Sequence, residues 1–153
     1  MRILAFFVLA LFLAIPSPAA DLDHADLTVT TAAGQTYHFD VEVARTAQQQ
    51  ERGLMFRKSM PADAGMAFPY DRDTTATFWM KNCYIPLDML FVANGGRISH
   101  IVADAKAVGD KPVGPEDYYP SGGPIRLVVE LNAGTAAKLG IHVGDKVTMT
   151  EAK

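Results

Sequence analysis

The stretch Thr77–Phe91 constrains the fold more than any other part of the chain. It holds the one Trp (Trp79) and the one Cys (Cys83). Thr74–Met80 is rich in Thr and aromatics, a strand composition. Leu87–Ala93 is nearly all apolar and reads as a buried strand. Lys81 and Asn82 stand between the two, followed by Ile85-Pro86. A cation and an amide wedged between segments that need burial either satisfy a bend or line a site.

The rest of the chain repeats short patterns of the same kind. Leu27–Thr31 and Thr36–Val43 alternate apolar and polar residues, with Ala33-Gly34 between them, and predict a hairpin. Thr46 with Gln49 fits a capping box for a short helix, and Gly53 suits its left-handed end. Met60–Asp73 carries two Pro and several charges and is expected to be a long surface loop broken by Gly65–Phe68. Asn94-Gly95-Gly96 turns Leu87–Ala93 into a partner strand, Arg97–Ala103. Lys106–Pro124 has four Pro and four Gly around Tyr118-Tyr119 and predicts irregular backbone that glues a loop to the core. Ile125–Leu131 is a core strand. Asn132–Leu139 is a short helix stopped by Gly140, and Gly144-Asp145 turns into Lys146–Thr150, with Asp145 capping its own turn. The expected fold class is mostly β: a small barrel-like antiparallel or mixed sheet of about eight strands with two short helices.

The N-terminus reads differently. Arg2 precedes an uncharged thirteen-residue apolar run, Ile3–Ile15, and Pro16-Ser17-Pro18-Ala19 supplies breakers and small residues. That is a secretory signal pattern, and the run is shorter than the ~20 residues that span a bilayer. Residues 1–19 are therefore expected to be a signal peptide, and 20–35 a leader with the first strand region. Residues 26–153 are expected to form a single β-rich domain. Asp21–Asp26, with His24, is expected to be a loose solvated leader. The expected location is periplasmic or extracellular, with no membrane span after cleavage. One Cys has no intrachain partner even in an oxidising compartment, and its apolar neighbours favour a buried thiol.

Charge narrows the function classes. The chain has 14 basic and 17 acidic side chains, a net charge of −3. That mild balance argues against general binding to nucleic acid or anionic membrane. The cations are unevenly spread, because Arg45, Arg52, Arg57, Lys58, Arg72 and Lys81 fall within one span. Two arrangements are open: solvated faces of opposite sign, or a cleft facing an anion. Metal motifs such as C-x-x-C, H-x-H or H-x-x-x-H are absent from the sequence, so no metal or cofactor is expected. Met80 and Cys83 at i, i+3 leave Cu(I) handling as a lesser alternative. His38, His100 and His142 lie apart from Cys83 in sequence and read as structural. Asp88 interrupts an apolar strand, so its burial is expected to need a cation, with Arg52, Arg57 or Lys81 as partner.

Several blocks carry a resemblance: Glu51-Arg52-Gly53-Leu54-Met55-Phe56-Arg57, Gly65-Met66-Ala67-Phe68, Phe78-Trp79-Met80-Lys81-Asn82, Ile85-Pro86-Leu87-Asp88-Met89, Glu130-Leu131-Asn132-Ala133-Gly134, and Gly140-Ile141 with Gly144-Asp145. In this order, from about Val41 to Val147, they resemble the DUF192 (UPF0127) family, small domains of unknown biochemical function. The family often has a small hydroxyl residue where this chain has Cys83, which argues against a thiol as shared chemistry. The resemblance implies no catalytic residue. The residues themselves point to a non-catalytic binding module. In it, Trp79 is an apolar platform, Arg52, Arg57 and Lys81 contact an anion, Asn82 orients the ligand, and Asp88 lies beneath. Its expected partners are a small molecule, an envelope saccharide or a protein segment. The alternative is an envelope hydrolase or transferase using carboxylates such as Glu51 or Asp88 with Arg and Lys groups.

Overall fold

Alternation of side chains along strands builds the core of this protein. The computed structural model describes residues 22–151, so the expected signal peptide lies outside the described residues. Nine strands and two α-helices are present among them. The first three strands are β1 (Asp23–Thr30), β2 (Thr36–Val43) and β3 (Ala64–Thr74). β4 (Thr77–Trp79), β5 (Leu87–Val92) and β6 (Ile98–Ala105) follow, then β7 (Tyr118–Pro120), β8 (Ile125–Asn132) and β9 (Lys146–Glu151). Helix α1 (Ala47–Arg52) joins β2 to β3, and α2 (Thr135–Leu139) joins β8 to β9. Seven strands form one sheet in the order β6-β5-β8-β3-β2-β1-β9. β2 and β3 pair in parallel and the other neighbours antiparallel, which makes the sheet mixed. β4 and β7 form a separate two-stranded ribbon.

The central strands are buried on both faces. Ala67 of β3, Leu90 and Val92 of β5, and Val129 and Leu131 of β8 share a core with Leu27, Val29, Phe39 and Val41 from the curled β1–β2 end. Met66 and Phe68, Leu87, Met89 and Phe91, and Val128 face the other way and pack with Leu54, Met80, Cys83 and Ile85. β5 is buried at every position because both of its faces are covered. On the second face the cover is the ribbon. Phe78 packs edge-on against Phe68 and Phe91, with ring centroids 5.0 and 5.9 Å away.

Three expectations are corrected. The Met60–Asp73 segment is not a loop, because β3 runs through it at the centre of the sheet. Gly65–Phe68 is the buried half. Pro69 and the charged residues after it lie where the β3–β8 register breaks, so their polarity masked the strand. The Asp21–Asp26 leader is also ordered as strand from Asp23, since Ala25 and Leu27 point into the core and Asp23–Thr30 pairs fully with β2. Finally, the sheet is not closed into a barrel. Its edges meet at one bridge, Arg97–Lys146, where the Val147 amide donates to the Gly96 carbonyl at 2.7 Å. Register breaks twist β6 against β5, and the edges part beyond that corner.

The Asp145 carboxylate ties the same corner, accepting from the His142 and Ala32 amides at 2.7 and 2.9 Å. Thr46 and Gln49 form the expected capping box on α1, and Gly140 ends α2 in the left-handed conformation. No helix among the described residues is long and apolar enough to cross a membrane.

Candidate functional site

α1 and the turn after β4 meet above the second face of the sheet. Gly53 ends α1 with φ 45°, and a Cβ there would sit 3.4 Å from the Phe68 ring. The chain then drops Leu54 into the core and exposes Phe56, which has φ 66°. Opposite, the Cys83 amide donates to the Met80 carbonyl at 3.1 Å and closes a turn with Lys81 at its outer corner. Asn82 adopts φ 56° in that turn, a conformation Asn tolerates better than other non-glycine residues. The two loops are joined directly. The Phe56 amide donates to the Asn82 carbonyl at 2.8 Å, and the Asn82 amide group lies 3.7 Å from the Met55 sulfur.

A narrow cleft lies between them. Its walls come from Gly53–Met55 on one side and Phe78–Trp79 on the other, and Phe68 and Glu130 form its floor. Arg52 and Glu51 stand at the mouth, with Cys83 beside the floor. The space open to the centre of a water-sized sphere is about 20 Å³, room for one water or one slender group.

Both cations here are held on aromatic faces. The Arg52 guanidinium lies 5.8 Å from the Phe56 ring centroid, and the Lys81 ammonium 5.2 Å from that of Trp79. Such contacts contribute about 0.5–1 kcal/mol at exposed sites. Among the described residues neither cation has a carboxylate within 4.0 Å, whereas Arg45, Arg57, Lys106 and Arg126 are all paired. Tyr118 extends the aromatic rim, its ring 6.1 Å from Trp79. Tyr119 packs inward, as the gluing role expects.

Of the six residues singled out from sequence, Arg52 and Trp79 line this cleft, and Lys81 and Asn82 lie in the adjoining turn rather than on its wall. Arg57 does not line it and is paired with Glu42 on β2. Asp88 is on the opposite face of the sheet, since it alternates with Leu87 and Met89, and the expected Arg partner is corrected. Its carboxylate accepts from the backbone amides of Asp104, Gly134 and Ala136 at 2.9, 3.1 and 2.8 Å. The last two lie at the N-terminus of α2, so Asp88 caps that helix from across the core.

Glu130 is the residue that sequence reasoning passed over. It shares the second face with Val128 and is 4% exposed. Its carboxyl group makes no hydrogen bond to any described residue. Burial alone raises its pKa to about 8, so the group is largely neutral at pH 7. Its signal in sequence is the one that drew attention to Asp88, an acid inside an apolar strand. Cys83 is buried as expected, and burial, then the Glu130 charge, pushes its thiol up to about 12. A thiol at that value is not a nucleophile near neutral pH. Groups of three or more metal-binding side chains are absent among the described residues.

The DUF192 family profile, described as "Uncharacterized ACR", matches residues 28–149. A crystal structure from Sinorhizobium meliloti 1021, named as that of a candidate transcription regulator, is similar at 37% identity with a TM-score of 0.76. That match covers 84% of this chain and 95% of the other. A protein of unknown function from Novosphingobium aromaticivorans DSM 12444 is similar at 40% identity with a TM-score of 0.75, covering 86% of this chain and 89% of the other. No curated protein matches the chain.

Proposed function

The chain belongs to the DUF192 family, and from that premise we propose that it is an exported, non-catalytic binding module whose cleft takes a small anionic ligand. One observation carries this reading. Arg52 lines the cleft and Lys81 stands in the turn beside Trp79, each held over an aromatic ring, Phe56 and Trp79, with no carboxylate within 4.0 Å among the described residues. Charges kept unpaired beside an apolar slot suit an incoming anion. The export part of the proposal rests on the apolar run Ile3–Ile15 with its flanks. The regulator name of the Sinorhizobium relative favours nucleic acid, but here the net charge is −3 and the helices have six and five residues, too short to fill a major groove.

An envelope hydrolase or transferase is the second reading, favoured by Glu130 at the cleft floor. Binding is preferred because the neighbouring thiol is held protonated and no His lines the cleft.

A thermal-shift screen against small carboxylates, phosphates, acidic sugars and metal ions tests the proposal. A ligand at a hundred times its Kd stabilises the fold by about 2.7 kcal/mol. We expect a hit among the anions, with the shift lost in Arg52→Ala and in Lys81→Ala while the unliganded Tm stays nearly constant. Absence of any anion hit, or a shift that survives both substitutions, refutes the reading.

A further inference from the structure

Two acids are buried in the apolar strands of one sheet, and they are treated differently. Asp88 has three backbone amides converging on it. Glu130 has none, although it is 4% exposed, and its carboxyl group opens onto the cleft. Val, Leu or Met in its place would extend the surrounding apolar cluster. A buried carboxyl group lacking protein partners at the end of a slot is a partner in waiting for something that enters it.

The surroundings specify what enters. Cys83 from the turn after β4 lines the cleft with Glu130, and Tyr70 from β3 packs against the same cluster, both held toward their protonated forms by burial first. Glu51 and Arg52 from α1 stand farther out at the mouth, and β4 offers the apolar Phe78 and Trp79. No cation lines the floor, so an anion there would meet a desolvated site with nothing to neutralise it. A neutral oxygen acceptor needs only the one proton that a carboxyl group can donate. The slot admits about one water-sized group, which excludes a chain continuing past the acceptor.

We propose that Glu130 is the specificity-determining residue of the cleft: its carboxyl group donates a hydrogen bond to a neutral oxygen acceptor, such as an acyl carbonyl, at the tip of a small carboxylate ligand whose charged end rests against Arg52. This rests on the binding reading above and adds the ligand class. Ionisation of Glu130 removes the donor and sets a negative charge against the carbonyl, so recognition of the acyl tip is present below about pH 8 and lost above it.

The test is an NMR titration of the full chain with N-acetylglycine, followed at the Glu130 carboxyl carbon, Cys83 and the Arg52 side-chain nitrogens. Pentanoate serves as an anion of similar length with an apolar tip, and tetraglycine as a carboxylate on a longer chain. We expect N-acetylglycine to shift both floor and mouth signals at pH 6, and to bind at least tenfold tighter than either comparator. Glu130→Gln keeps a donor, so it should retain the preference from pH 6 to 9, while the wild-type protein loses it above about pH 8. Glu130→Leu should bind N-acetylglycine and pentanoate equally. Equal binding in the wild type, a preference that persists in Glu130→Leu, or floor signals unmoved by N-acetylglycine would overturn the proposal. Mouth signals that move while the floor stays silent would leave the anion cleft standing and remove the acyl site alone.

Discussion

Asp88 and Glu130 define the residue scale, because the same kind of side chain has opposite roles two strands' faces apart. Asp88 is a structural charge. Its three amide donors belong to α2 and to the end of β6, so it binds two connections to β5. Asp88→Ala leaves these buried donors orphaned, and each unsatisfied group costs about 1–3 kcal/mol. We expect a loss of at least 3 kcal/mol in urea denaturation, with Asp88→Asn intermediate because its amide oxygen still accepts. The sequence marked Asp88 as a buried acid needing a partner but supplied no means of choosing between an arginine and backbone amides. Helix ends are invisible as hydrogen-bond donors until the fold brings one alongside.

At the scale of elements, local chemistry was legible wherever neighbours in sequence complete the interaction. The Thr46–Gln49 capping box, the Asn94-Gly95-Gly96 turn and the Gly140 stop all formed as read. β3 was missed because its polar half and its buried half are joined in one strand, and only pairing with β8 makes them continuous. The corner between β6 and β9 gives a direct test of how the sheet edges are held. Gly95 and Gly96 have φ 92° and 76°. A Cβ on Gly95 meets nothing, whereas on Gly96 it lies 2.7 Å from the Val147 carbonyl oxygen. Gly95→Ala therefore carries backbone strain alone, about 1 kcal/mol, and Gly96→Ala adds a clash with rigid backbone. We expect Gly96→Ala to cost at least 1 kcal/mol more in chemical denaturation and to speed hydrogen exchange at the Val147 amide.

For the whole molecule, the buried Glu130 links stability to pH. Its pKa is raised from 4.5 to about 8 in the fold. Between these values the folded protein keeps a proton that the unfolded chain has lost, so stability falls as pH rises, by about 1.4 kcal/mol per unit. Below about 4.5 this penalty is absent, and above about 8 it is complete, on the order of 5 kcal/mol. Urea denaturation from pH 5 to 9 should show this decline in the wild type, and Glu130→Gln should flatten it. A fold that retains such a residue at the floor of a slot carries a stability cost that an apolar side chain would remove, and functional sites are where such costs concentrate. The sequence by itself determined most of the strands, the turns and caps, the burial of Cys83, and the closeness of Trp79, Lys81 and Asn82, because each depends on periodicity or on residues a few positions apart. The tertiary structure alone decided which face of the sheet each buried acid occupies, that Arg57 is neutralised by Glu42, and that Glu130 meets the cleft. Those outcomes depend on strand order and on what is packed over each face, and a one-residue change of register along β5 or β8 would exchange them.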